Sequence, residues 1–205
     1  MFNPKEYWEN RHKKYEGNLL SVGNLANRVH SDCEHREQSA KEHLCNTVEY
    51  LLNNNSFNKN DTLLDYGCGV ARIYERVKSM DASYYGYDLS TKAIEQCKEK
   101  HNEGNFYYEI DDIVNLPIKF DFILCNYVLV HIVDDNELIK QLTTLKSKLS
   151  KNGKIIVLDQ FTKKPDNNPH YKHRSVSELE TASKKCDLKI YKNDESNDVL
   201  ILSHL

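Results

Sequence analysis

The sequence predicts an α/β fold in which helices wind over both faces of an open, mostly parallel sheet. Three features carry that expectation. The run Thr62–Tyr66 is short, apolar and β-favouring, as a strand buried on both faces must be, and it leads directly into Gly67 and Gly69. Beyond it, apolar runs alternate with stretches of helical periodicity in the manner of βαβ units. The last two apolar runs, residues 188–191 and 199–202, stand too close for a parallel crossover of about a dozen residues and therefore form an antiparallel pair.

Composition narrows the function classes. A chain of 205 residues supports one well-buried domain. The net charge of −3 gives no general attraction to nucleic acid or to an anionic membrane. No apolar run reaches the ~18 residues that span a bilayer. The charged, aromatic N-terminus holds no signal-peptide core, so a cytoplasmic location is expected. Six cysteines without Cys-x-x-Cys pairing fit a reducing compartment.

Asn3 and Pro4 open a helix over residues 4–15. Tyr7, Trp8, Arg11 and Tyr15 recur along one side of it. They read either as a packing stripe or as a lid whose rings suit a cation and whose guanidinium suits a carboxylate. Residues 17–27 read as a loop. His30, Asp32, Cys33, Glu34 and His35 are potential metal ligands, but a zinc site draws on separated segments, so they read as a solvated connector and no metal is predicted. A helix over residues 37–53 places Leu44, Val48, Leu51 and Leu52 on one face.

Asp65 sets a carboxylate at the carboxyl end of its strand, where open α/β sheets bind ligands. A helix over residues 70–80 is expected to aim free amides at that ligand. Arg72 stands where a dinucleotide fingerprint needs Gly or Ala, which argues against NAD and FAD. Ser83–Tyr87 is a second strand with Asp88 at its tip, 23 residues beyond Asp65, near the offset of a ribose-binding acid. The alternative role for Asp88 is to cap the next helix, which Ser90 can also do.

Thr91–Lys100 reads as that helix, and residues 105–110 as a third strand ending at Asp111 and Asp112. Phe120–Asn126 is a fourth strand, followed by an amphipathic helix over 134–149 with Leu138, Leu142, Leu145 and Leu149 on one face. A turn at 151–154 leads into a fifth strand over 155–158, with Asp159, Gln160 and Phe161 at its tip. Residues 162–175, interrupted by Pro165 and Pro169, end in His170, Tyr171, His173 and Arg174 and read as a substrate-selecting lid or a solvated tether. A helix over 175–186, with a capping box from Ser177 to Glu180, precedes the closing strands and their polar turn at 193–197.

The pattern Asp65-x-Gly67-x-Gly69 resembles the first motif of the class I S-adenosylmethionine-dependent methyltransferases, whose acid and glycine turn face the methionine half and the ribose. Tyr7-Trp8-Glu9-x-Arg11 is similar to the opening helix of several small bacterial members. The segment from Asp112 to Pro117 resembles the third motif, which implies that Asp112, with Asp111 as the alternative, accepts from the adenine amino group while Ile113 covers the ring. Phe120-Asp121 matches the opening of the family's fourth strand, residues 127–132 resemble the motif after it, and Gly153-Lys154 matches the approach to the fifth strand.

The resemblance implies a seven-stranded sheet of order 3-2-1-4-5-7-6 with strand 7 antiparallel. It also implies an N-terminal helical cap over residues 1–58 and a cofactor-binding domain over 59–205. S-adenosylmethionine is the expected cofactor and S-adenosylhomocysteine the product, held by Asp65, Gly67, Cys68, Gly69, Arg72, Asp88, Leu89, Asp112, Ile113 and Asn126. The expected chemistry is methyl transfer to an O or N nucleophile of a small molecule, sugar-like or a secondary metabolite, with neither nucleic acid nor membrane as partner. His131 is the candidate proton acceptor, or else a structural histidine beneath the cofactor. Tyr7, Trp8, Tyr127, Gln160, His170, Tyr171 and Arg174 are candidate substrate contacts. Two other classes compete: a cofactor-binding partner subunit that does not methylate, and an NAD-dependent enzyme, which Arg72 and the antiparallel ending oppose. Asn126-Tyr127 lacks both prolines of the Asn-Pro-Pro-Tyr motif of nucleic-acid methylases.

Overall fold

The computed structural model describes residues 2–16, 33–161, 169–192 and 198–205, the side chains of residues 33–37 and 192 excepted. The expected loops at 17–27, 162–168 and 193–197 and the side chains of the His30 to His35 cluster lie outside the described residues.

The elements in chain order are α1 (Pro4–Lys14), α2 (Cys33–Asn54), β1 (Thr62–Tyr66), α3 (Tyr74–Ser79), β2 (Ser83–Tyr87), α4 (Thr91–Lys100), β3 (Asn105–Tyr107), α5 (Ile110–Asn115) and β4 (Phe120–Asn126). A 3-10 turn at Leu129–His131 leads to α6 (Asp135–Lys148), β5 (Leu149–Leu158), α7 (Val176–Lys184), β6 (Leu188–Lys192) and β7 (Val199–His204). The seven strands form one sheet in the expected order, β3-β2-β1-β4-β5-β7-β6. Its first five strands are parallel, and β7 runs antiparallel to both β5 and β6.

Strand periodicity divides the core into two layers. Leu63, Tyr84, Phe122, Leu124 and Ile156 turn toward α2, α3 and α4, meeting Val48, Leu51, Leu52, Val77, Ile94 and Cys97. Leu64, Ile123, Cys125, Ile155 and Val157 turn the other way, toward Ile113 of α5, Leu138, Leu142 and Leu145 of α6 and Leu179 of α7. The described cysteines with side chains are all buried free thiols. No described helix is long and apolar enough to cross a membrane.

Four local expectations give way to tertiary constraints. The helix after the glycine turn begins at Tyr74, not at residue 70, because Ala71 takes φ +54°, which no right-handed helix accommodates. β3 stops at Tyr107, and Asp111 and Asp112 lie in the first turn of α5, where carboxylates favour the amide-rich end. β5 begins at Leu149, so the expected turn at 151–154 is an extension of the strand, with a register irregularity opposite Phe120 and Phe122. The capping box is Ser175 with Glu178, two residues before the expected pair, since Ser175 is the last residue with extended backbone.

Candidate functional site

β1 is hydrogen-bonded to β2 on one side and to β4 on the other, so the strand order reverses there and opens a crevice at the carboxyl ends. The turn leaving β1 is held against the tip of β2. The N–H groups of Gly67 and Cys68 both donate to the carbonyl of Tyr87, at 2.7 and 2.9 Å. Gly67 sits at φ +81°, where a Cβ would lie 2.3 Å from a methyl of Val128, so only glycine fits between the exits of β1 and β4.

Asp88 closes the turn. Its Oδ2 accepts the N–H of Gly69 at 3.0 Å and its Oδ1 that of Ser90 at 2.9 Å. The cap of α4 is Ser90, whose Oγ accepts the N–H of Ala93, so Asp88 is not occupied as a helix cap. Burial raises the Asp88 carboxyl above the usual range, against the opposing pull of His12 and the two amides. Asp65 is buried beside it and accepts the phenol of Tyr84 at 2.7 Å. Burial lifts its pKa to about 6, opposed by that hydrogen bond and by the charge of Arg72. Arg72 is itself half-buried, which lowers its pKa. Cys68 is buried within the turn, Leu89 is half-buried, and Asn126 is half-buried at the tip of β4.

The two remaining members of the expected cofactor set lie on α5. Asp112 is exposed on α5. Ile113 is 1% exposed and packs in the core beneath α6, so it presents no face to a ring.

α1 lies across the crevice. Glu9 Oε2 accepts the hydroxyl of Ser90 at 3.0 Å and the N–H of Lys92 at 3.2 Å, and Lys92 pairs with Glu16 at 2.7 Å. Farther along the sheet the same helix meets the segments leaving β4 and β5. Trp8 packs edge-on against His131 with ring centroids 4.8 Å apart, and Tyr7 stacks on His170, also at 4.8 Å. Phe2 closes against His170 at 4.7 Å. Tyr7, Trp8, His131 and His170, separated by up to 163 positions, therefore share one aromatic cluster.

His131 Nδ1 lies 3.0 Å from the carbonyl of His170, an acceptor, so Nδ1 carries the proton and Nε2 is the basic nitrogen. Burial lowers its pKa, leaving the imidazole neutral at physiological pH. The turn that carries it is braced from two sides. Asp159 accepts the N–H of Val130 and that of Gln160, both at 2.9 Å, and burial raises its pKa to about 6. Arg174 is buried, donating to the carbonyls of Leu129 and Ile132 and pairing with Asp135 at 2.9 Å. Its guanidinium is thus engaged within the fold, unlike the expectation of a substrate contact. Tyr127 is 50% exposed at φ +53°, Gln160 is exposed, and Tyr171 packs near His173 with centroids 5.0 Å apart.

Sequence reasoning passed over His12 and Tyr84 and gave Glu9 no role of its own beyond its place in the opening motif. The first had a readable signal: His12 falls four residues after Trp8 on the same helical stripe, and it is 1% exposed. Among the described residues no three His, Cys, Asp or Glu side chains are grouped as a cation would require.

Comparison with known proteins follows the same lines. The family described as "Methyltransferase domain" matches residues 57–199. The chain is 34% identical over 103 residues to the ubiquinone biosynthesis O-methyltransferase of Pelagibacter ubique, a match covering 48% of this chain and 42% of that one. It is 31% identical over 114 residues to the tRNA U34 carboxymethyltransferase of Campylobacter fetus subsp. fetus, covering 53% and 39%. The chain thus spans less than half the length of these curated relatives. Among solved structures, magnesium protoporphyrin IX methyltransferase from Synechocystis PCC 6803 with bound S-adenosylmethionine superposes with a TM-score of 0.67 at 16% identity, covering 100% of this chain and 99% of that one, a likeness of fold.

Proposed function

This chain belongs to the S-adenosylmethionine-dependent methyltransferases, and on that premise we propose that it transfers a methyl group to an oxygen or nitrogen nucleophile of a small molecule. The observation that carries the reading is the adjacency of two chemistries on one sheet edge. Buried acceptors stand at the tips of β1 and β2, and a neutral histidine stands in an aromatic cluster after β4.

The first group fits the cofactor by its donor set. Asp65 and Asp88 are buried carboxylates, and His12 Nε2 is buried with no hydrogen-bond partner among the described residues. Together they form an acceptor-rich surface suited to a nucleoside that carries hydroxyl and ammonium donors. Asp88 would hold the ribose, while Asp65 and the glycine turn would face the methionine half. When bound, S-adenosylmethionine supplies an electrophilic methyl carbon on a sulfonium.

The remaining work belongs to the chain: orienting the nucleophile, keeping water away, and removing a proton where the nucleophile has one. His131 Nε2 is suited to take the proton of a hydroxyl, and Trp8 holds the ring from its edge. Asp159 and Arg174 act as positioning residues by fixing the turn that carries His131. α1 would form the wall over both regions, which supports reading the N-terminal helix as a lid.

The small-molecule reading is supported by the net charge of −3 and by the relative named for ubiquinone O-methylation. The relative named for tRNA modification makes RNA the control. The test is incubation with labelled methyl donor and either the small-molecule or the RNA fraction of a cell extract, followed by mass spectrometry. A gain of one methylene in a small molecule is the expected result. Label appearing only in RNA would overturn the substrate class.

A further inference from the structure

His12 brings a buried ring nitrogen to the wall of the crevice. Its imidazole is 1% exposed, Nδ1 lies 2.9 Å from the carbonyl of Trp8, and Nε2 is buried with no hydrogen-bond partner among the described residues. A carbonyl can only accept, so Nδ1 must carry the hydrogen. In the neutral ring, Nε2 is then a bare acceptor. Burial keeps the ring neutral by lowering its pKa, even though Asp88 and Glu9 pull the other way and Arg11 adds to the lowering.

Asp88 lies in the same neighbourhood: Glu9, one turn before His12, accepts the hydroxyl of Ser90, whose N–H donates to Asp88, and the charges of His12 and Asp88 act on each other. Two of the Asp88 lone pairs are taken by Gly69 and Ser90, and the others point to no described donor. A protonated His12 would donate to this carboxylate, but no such bond is formed. The neighbourhood therefore holds two acceptors, and neither can satisfy the other. Its complement is a ligand with two adjacent hydrogen-bond donors, which is the chemistry of a vicinal diol. The position is also built and not incidental: Glu9, one turn before His12, ties α1 to Ser90 and Lys92 at the start of α4.

We propose that His12 is a cofactor-binding residue whose Nε2 accepts one ribose hydroxyl while Asp88 accepts its neighbour. The proposal rests on the methyl-donor reading above. It makes α1 part of the nucleoside site as well as the wall of the substrate region, so that cofactor binding and lid closure are one event.

Calorimetry tests it with S-adenosylhomocysteine and its 2′-deoxy and 3′-deoxy forms, titrated into the wild-type chain, His12→Phe and His12→Gln, each first checked for folding by circular dichroism. In the wild type, one of the two deoxy forms loses about fivefold to tenfold in affinity through the hydroxyl given to His12. In His12→Phe, which keeps an aromatic ring but has no acceptor, that same loss shrinks below about twofold, and His12→Gln restores part of it. Equal weakening of all three ligands by His12→Phe overturns the proposal and leaves His12 as a prop for the helix. In the unmutated chain, ¹⁵N-labelled histidine gives an independent reading. The His12 Nε2 resonance must shift when S-adenosylhomocysteine binds and fail to shift with the discriminated deoxy form; an unmoved resonance overturns it too. No binding of S-adenosylhomocysteine by the wild type defeats the methyl-donor reading itself, a result distinct from binding without hydroxyl discrimination.

Discussion

Glu9 and Ser90 are joined across 81 positions of sequence: the Ser90 hydroxyl donates to the Glu9 carboxylate at 3.0 Å while accepting the N–H of Ala93. The cap of one helix is thereby the anchor of another. α4 packs on the sheet through Ile94 and Cys97, so this contact fixes α1 to the core of the fold. Glu9→Ala should free α1 without unfolding the core. Hydrogen exchange of the amides in α1 is expected to accelerate by about tenfold, with the melting temperature nearly unchanged. Unaltered protection of α1 would show that its aromatic contacts suffice.

Gly67 and Val128 define how closely the exits of β1 and β4 approach. Alanine at 67 would meet Val128 at 2.3 Å and adopt φ +81°. Gly67→Ala is expected to lose about 2–4 kcal/mol in chemical denaturation, from overpacking and backbone strain together. Adding Val128→Ala should return part of the loss, because it removes the clash but leaves the strain. A double variant no more stable than the single one would exclude the steric account.

Asp65 gives a pH signature. Its pKa in the fold is about 6, above the ordinary value of 3.8. A group raised in this way contributes stability that is complete below the unfolded value and is lost as pH rises through the folded value. At pH 7.5 the ionised carboxylate therefore burdens the ligand-free protein. Asp65→Asn should be more stable than the wild type at pH 7.5 by on the order of 1–3 kcal/mol, with the difference fading near pH 4. Denaturant titrations of both proteins at the two pH values measure it, and a difference independent of pH would refute the assignment.

His131 and Asp88 should separate chemistry from binding. With a hydroxyl substrate, His131→Gln is expected to lower kcat by ~10²-fold or more while S-adenosylhomocysteine affinity stays within about twofold. Asp88→Ala should weaken that affinity by at least ~10-fold. Burial lowers the His131 pKa, so the base is free at neutral pH, and the wild-type rate should fall only as pH drops below the ordinary histidine value of 6.5. A kcat that stays flat down to the pH at which the protein unfolds would remove His131 from proton transfer.

The central sheet was legible because its signals are local and repeated. Thr62–Tyr66, Ser83–Tyr87 and Phe120–Asn126 have the bounds their apolar runs predict, and the closing pair is antiparallel as its short connection demands. Boundaries were lost where a distant partner sets the backbone. Ala71 turns left-handed in a loop pinned by Asp88, and residues 151–154 extend as strand because β4 lies alongside. Arg174 looked like a ligand contact because a cation in a loop has no visible partner in sequence. Its partners are two carbonyls and Asp135, 39 to 45 positions away.

By itself the sequence determined the layer order of apolar and polar residues, the glycine turn after β1, and the acids at the strand tips, since periodicity and φ preference act over a few neighbouring residues. Only the tertiary structure decided which of those groups meet. Desolvation, orphaned acceptors and ring contacts such as Trp8 with His131 depend on what the rest of the chain excludes from the site, and water exclusion is a property of the packed whole.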